Sequence, residues 1–167
     1  GDAAVVCDRE SGKLLLICAS GEVSYGRSNV QVSRTVAADG SYRYALDLSK
    51  AQRVGRYYSS DGGKSWQGEE ISESIYTLYD HASAETYDEG RGKVPVERLF
   101  FSSGRICQSA QIKVKDYYRI YSVLTTNRGS LVVYSDDFGE SWLPLGGAEA
   151  CPAPKGDEAK VEELPDG

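Results

Sequence analysis

Three polar residues recur at one place in this chain. Asp2 lies seven residues before Arg9, Gln108 seven before Lys115, and Glu158 seven before Pro165. Arg9, Lys115 and Pro165 each stand in a turn-like stretch that follows a short apolar run. The three polar side chains are therefore expected to begin equivalent strands and to meet around one pocket. A carboxylate in such a pocket can take a proton from a hydroxyl within hydrogen-bond reach, which is general-base chemistry. Composition alone reads Glu158 as a solvated charge in a run with Asp157, Glu162 and Glu163. The elements that carry these residues decide between the two readings.

Those elements are organised around an eight-residue stretch that occurs twice. Residues 59–66 and 135–142 both fit Ser-x-Asp-x-Gly-x-Ser-Trp. Ser59, Asp61, Ser135 and Asp137 can bond backbone N–H groups one or two residues on, and Gly63 and Gly139 supply conformations other residues resist. Trp66 and Trp142 are expected to pin each turn against a sheet. Gly55-Arg56-Tyr57-Tyr58 leads into the first copy and Leu131-Val132-Val133-Tyr134 into the second. Each copy thus reads as the turn of a strand–turn–strand hairpin, with a structural role for its residues.

Two further strands precede each hairpin. Residues 3–7 and 13–19 are apolar runs around a turn at Ser11-Gly12, the second apolar enough to be buried on both faces. That register sets Cys7 opposite Leu15 or Leu16, so Cys7 and Cys18 are not expected to bond. Residues 20–53 are polar, with a small hairpin around Asp39-Gly40, and read as a functional loop. Residues 72–97 form a second excursion holding Tyr76, Tyr79, Tyr87 and the single histidine, His81. A lone histidine without a second His or Cys nearby carries little. The second unit repeats the plan: 106–114, a turn at Lys115-Asp116, 117–124, 131–134 and 142–145. A Gly/Pro/Ala linker over 146–156 leads to the opening strand of a third unit.

The reading is all-β: a blade over about 1–72, an insertion over about 72–97, a blade over about 98–147, and the start of the next over 157–167. The net charge of −6 argues against a nucleic-acid surface. No apolar run is long enough to span a membrane as a helix. The four cysteines form no C-x-x-C pair, so no metal site is expected. The abrupt ends, Gly1-Asp2 and Pro165-Asp166-Gly167, lead us to expect an internal segment of a longer protein.

The repeated stretch resembles the Asp box of sialidases, which also occurs in other propellers. Glu158-Ala159-x-Val161-x-Glu163-Leu164 resembles the Glu motif of exo-α-sialidases, in which the first Glu assists a tyrosine nucleophile. Gly1-Asp2-Ala3-Ala4 resembles the segment whose Asp contacts the 4-hydroxyl of sialic acid, with Ala3 where a Pro is common. Ser102-Ser103-Gly104-Arg105 sits where sialidases often carry Gly-Pro-Gly-x and keeps the last Gly. The similarity covers essentially the whole chain and is closest to secreted bacterial sialidases of glycoside hydrolase family 33. It implies a six-bladed β-propeller, of which this chain supplies about two blades, and retaining hydrolysis of terminal sialic acids from glycoconjugates. It implies Glu158 as catalytic base and Asp2 as a substrate contact; Gln108, from its spacing, and Arg105 and Tyr25 are expected as further substrate contacts. It implies no cofactor, sialylated glycans and the remaining blades as partners, and a secreted, periplasmic or cell-surface location.

The same resemblance says what this segment lacks. The family uses three arginines on the substrate carboxylate, an Asp acid/base and a Tyr nucleophile. None of Arg27, Arg34, Arg105 or Arg119 matches a motif of that triad, so those groups are expected outside residues 1–167. Two other readings use the same repeats: a non-catalytic propeller that binds sialylated glycans or a protein, and a glucan hydrolase with paired carboxylates.

Overall fold

In the computed structural model the described residues are 3–30, 33–36, 38, 42–45, 47–78, 98–147, 153, 154, 156 and 158–166. Tyr79, His81 and Tyr87 of the second excursion lie outside them. In chain order the strands are β1 (Ala3–Cys7), β2 (Leu14–Ser20), β3 (Ser33–Val36), β4 (Tyr42–Ala45), β5 (Arg53–Ser59) and β6 (Gln67–Glu70). A single turn of helix, α1 (Ser72–Tyr76), follows. Then come β7 (Leu99–Phe101), β8 (Gly104–Arg105), β9 (Cys107–Val114), β10 (Tyr117–Thr126), β11 (Gly129–Ser135) and β12 (Leu143–Pro144).

Two antiparallel meanders result. The first runs β1-β2-β5-β6, and the second β9-β10-β11-β12. β7 shares the β9 edge of β10, so these two strands lie end to end. The chain then leaves the second sheet at β8, which pairs in parallel with β1 of the first, Ala4 beside Gly104 and Val5 beside Arg105. This crossing stitches the sheets along their inner strands. β3 and β4 make a separate hairpin across Asp39-Gly40, which themselves lie outside the described residues.

Strand alternation builds the core. Ala4, Val6, Leu15 and Ile17 point inward from β1 and β2, and Ile120, Leu124, Leu131 and Val133 from β10 and β11. Each Val, Leu or Ile among them contributes about 1.5–3 kcal/mol by leaving water. β2 is buried on one face only. Leu14 and Leu16 are half-covered, in contrast to the expectation from its unbroken apolar run. The β1–β2 register differs from the expected one: Cys7 faces Leu14, because the Asp8 carboxylate caps the loop through Ser11 and the Asp8 N–H donates to the Lys13 carbonyl, which closes a shorter loop over 8–13. Cys18 faces Ala3, and both thiols are free.

The two Asp boxes fold alike. Ser59 and Ser135 donate to Asp61 and Asp137, which accept from the N–H and hydroxyl of Ser65 and Ser141. Their tryptophans differ. Trp142 is buried and meets Phe101 edge-on at 5.2 Å, whereas Trp66 is 39% exposed and donates Nε1–H to Gly63 O. The second box is wedged against the first sheet, and the first box has no such neighbour among the described residues. Phe138, fully buried, stacks on Tyr117 and Tyr58 at 5.2 and 6.3 Å.

Residues 158–164 do not form the expected opening strand. They lie beside β8 and β9 and are held by side chains rather than by a backbone ladder.

Candidate functional site

Strand register shows which ends of the sheets meet. Ser59 and Ser135 hold the same place in the repeat, facing Leu14 and Ile120. Leu14 faces Cys7, and Ile120 faces Gln108. Gln108 is therefore the counterpart of Cys7, not of Asp2. Cys18 faces Ala3, and its counterpart Leu124 faces Phe101, so β7 matches the start of β1, and Ser103 lies just after it, before the crossing to β8. The count from the hairpin turn fails because β9 bulges: from Tyr118–Lys113 to Ile120–Gln108, β10 advances by two residues and β9 by five.

The Ser103 end gathers most of the residues singled out above. Ala3 starts β1 there, and Asp2 itself lies outside the described residues. The Ser102 hydroxyl bonds the Thr125 hydroxyl at 2.8 Å in the buried floor. Gly104 turns the chain with a φ of 103°, in the region that favours glycine. Arg105 follows on β8, exposed. Tyr25, in the short 3-10 turn after β2, packs edge-on against Phe100 of β7 at 5.0 Å, with the Arg98 guanidinium over its ring.

Glu158 comes to this end from the third unit. The Ser103 hydroxyl donates to Glu158 Oε1 at 3.2 Å, and Lys160 Nζ donates to the Ser103 carbonyl. Glu158 has a φ of 55°, a left-handed conformation uncommon for a side chain other than Gly, Asn or Asp. Its carboxylate is exposed and can accept further hydrogen bonds. Glu163 is more enclosed. Its Oε1 accepts from the Ser109 hydroxyl at 2.5 Å and its Oε2 from the Ala110 N–H at 2.6 Å, both on the β9 bulge. The Ser109 hydroxyl, helped by that N–H, holds the carboxyl below the usual range against a small desolvation cost.

Gln108 sits at the other end. Its amide Nε2 donates to Asp8 Oδ1 at 2.8 Å, and its Oε1 accepts from the N–H and Nε of Arg9, each at 3.1 Å. The amide is thus committed to the β1–β2 loop. The Asp boxes end β5 and β11 on that same side, about 20 Å along the strands from the Ser103 end.

Sequence reasoning passed over two residues. Ser103 stands in the Ser-Ser-Gly-Arg run, and only its contact with Glu158, distant in sequence, singles it out. Arg56 lies in the run before the first box. It is 7% exposed, donates to the carbonyls of Gly139 and Glu140 at 2.7 and 2.9 Å, and pairs with Glu69 and with Glu140 at 3.1 Å. With Tyr58, Gln67 and Gly68 these groups line a shallow cleft between β6 and the second box. No helix among the described residues is long and apolar enough to cross a membrane.

No protein-family model and no curated protein matches the chain. Solved structures do, two trans-sialidases among them. The intramolecular trans-sialidase of Ruminococcus gnavus, in complex with oseltamivir carboxylate, aligns with a TM-score of 0.52 and 11% identity, covering 86% of this chain and 43% of that one. The leech intramolecular trans-sialidase complexed with 2,7-anhydro-Neu5Ac aligns with a TM-score of 0.60 and 13% identity, covering 99% of this chain and 34% of that one. The chain spans less than half the length of either. At such identity the likeness is one of fold: the chain is all-β, and its two four-stranded meanders are blades of the sialidase propeller fold.

Proposed function

We propose that the complete protein is an exo-α-sialidase that removes terminal sialic acids from glycoconjugates with retention, and that this chain supplies its catalytic base, Glu158. The observation that carries this reading is the contact between Glu158 and Ser103. It sets an exposed carboxylate beside the β1–β8 crossing, at the end of the inner strands opposite the Asp boxes. The sialidase-type fold and the Glu-Ala-x-Val-x-Glu pattern support the same assignment.

The chemistry requires such a group. A carboxylate nucleophile would be repelled by the substrate's own carboxylate, so sialidases use a neutral tyrosine. A phenol is a weak nucleophile at its ordinary pKa and must shed its proton as it attacks. Glu158 would accept that proton. The tyrosine, the three arginines and the Asp acid/base belong to the part of the protein outside this chain. Asp2, Arg105 and Tyr25 would contact the sugar from the Ser103 end. Gln108, with its amide committed to Asp8 and Arg9, contributes by fixing the β1–β2 loop. Leu143, Leu145 and Leu164, each at least 44% exposed, would be covered by the remaining blades.

The test is Glu158→Gln in the full-length protein, assayed on a fluorogenic sialoside. Losing a general base lowers kcat by roughly 10²–10⁴-fold. KM should move far less, since the arginines hold the carboxylate. Near-native kcat in this variant would remove Glu158 from the mechanism. Sialoside binding without any turnover by the unaltered full-length protein would favour a glycan-binding propeller.

A further inference from the structure

We infer that Glu163 is the positioning residue that sets the register of the 158–164 segment and so delivers the Glu158 carboxylate to Ser103. This rests on the reading of Glu158 as the base.

No β-ladder holds residues 158–164. The segment runs alongside 103–111, and side chains fix it there. At one end Ser103 donates to Glu158, and Lys160 donates to the Ser103 carbonyl. At the other, Glu163 accepts from Ser109 and Ala110, and Gln111 Nε2 donates to the Pro165 carbonyl at 2.8 Å. A segment without a ladder is free to slip, and a slip of one residue in an extended chain turns every side chain to the opposite face. Of these anchors only Glu163 makes two charge-assisted bonds, which are short and directional.

The β9 bulge is shaped to receive it. The Ser109 side chain is fully buried, and its oxygen also accepts the N–H groups of Gln111 and Ile112 at 3.1 and 2.8 Å. With those lone pairs used, its hydroxyl proton is directed outward to Glu163. Arg9 Nη2 donates to the carbonyls of Gln108 and Ser109 and so holds the bulge from the first sheet. The bulge that displaces Gln108 from the expected position is thus the receptor for the second carboxylate of the Glu motif. Its rigidity passes to Glu158 through five residues of chain.

The experiment is a double-mutant cycle in the full-length protein with Glu163→Gln and Glu158→Gln, read as kcat and KM on a fluorogenic sialoside. Glutamine keeps the size of Glu163 but turns an NH₂ toward one of its two donors. We expect kcat to fall by about 10–100-fold, the scale of a misplacement near 1 Å, with KM within about twofold. In the Glu158→Gln background the same change should cost almost nothing more, because the group it positions is already disabled. Equal losses in both backgrounds, or unchanged kcat, would overturn the assignment. Ser109→Ala, run through the same cycle, gives the answer if Glu163→Gln fails to fold. Failure of the base reading gives a different result: Glu158→Gln alone then keeps its kcat.

Discussion

Arg56 of the first sheet reaches Glu140 in the second Asp box, with Nη2 and Oε2 3.1 Å apart. The guanidinium is nearly buried, whereas the Glu140 and Glu69 side chains that flank it are more than half exposed. The two halves of this joint should therefore differ in worth. Glu140→Gln leaves Arg56 paired with Glu69 and bonded to two carbonyls, and screened surface pairs contribute about 0–1 kcal/mol. Arg56→Met leaves the carbonyls of Gly139 and Glu140 without their donor between the sheets. Each such orphaned group costs about 1–3 kcal/mol. Urea unfolding of both variants should show a small change for Glu140→Gln and a large one for Arg56→Met. The reverse order would mean that the ion pair, not the carbonyl bonds, joins the sheets.

Phe138 occupies a position where the first Asp box has Gly62. Both take left-handed backbone, with φ of 56° and 72°. Such a conformation costs an ordinary side chain about 1–2 kcal/mol. The phenylalanine persists because its ring is fully buried between Tyr58 and Tyr117. Phe138→Gly would relieve the strain but empty the interface, and deleting a buried phenylalanine costs about 3–5 kcal/mol. The variant should be destabilised by about 1–4 kcal/mol, the difference of those two. An unchanged or raised Tm would show that the stack contributes less than the strain.

How much of this was legible beforehand depends on whether the signal was local. The Asp boxes are self-contained turns, so Ser59, Asp61, Ser135 and Asp137 bond as their spacing predicts. The strands beside them follow the same alternation. The β9 bulge was not legible, because nothing in residues 107–114 announces extra residues opposite Arg119; the bulge is held by Arg9 and Glu163, from distant parts of the chain. That one irregularity moved Gln108 away from Asp2. The burial of Trp142 against the exposure of Trp66 was hidden for a similar reason: one box meets a neighbouring sheet, and the identical motif cannot say which.

The Asp61 carboxylate gives a pH prediction. The Ser65 hydroxyl and N–H, the Ser59 hydroxyl and the Lys64 N–H lower its pKa from 3.8 to about 2. A depressed folded-state pKa stabilises above the unfolded value and loses that contribution as pH falls through the folded one. The Asp61 contribution is therefore complete above about pH 4–5 and disappears toward pH 2. Asp137 is lowered too: burial opposes this, but the Ser141 and Ser135 bonds outweigh it. Asp61→Asn should flatten the acid limb of the urea midpoint against pH, compared with the unaltered protein, and leave sialoside specificity unchanged. Loss of substrate binding at full stability would mean that the Asp box touches the pocket.

Asp2 and Glu158 should separate binding from chemistry. Asp2 precedes Ala3, whose rung with Cys18 fixes where β1 begins, and Ser103, beside the β1–β8 crossing, bonds Glu158. We propose that Asp2 accepts a sugar hydroxyl in the bound substrate, a contact made equally in the ground and transition states. Removing such uniform binding raises KM and leaves kcat alone. A hydrogen bond to a charged group is worth about 1.5–3 kcal/mol, or about 10–100-fold in affinity. In the full-length protein Asp2→Ala should raise KM by about that factor, with kcat within about twofold, whereas Glu158→Gln should do the opposite. A substrate lacking the contacted hydroxyl provides the control: its KM should be the same for the Asp2→Ala variant and the unaltered protein. If Asp2→Ala instead lowers kcat and leaves KM unchanged, the carboxylate acts on the reacting atoms and its role must be exchanged for a catalytic one.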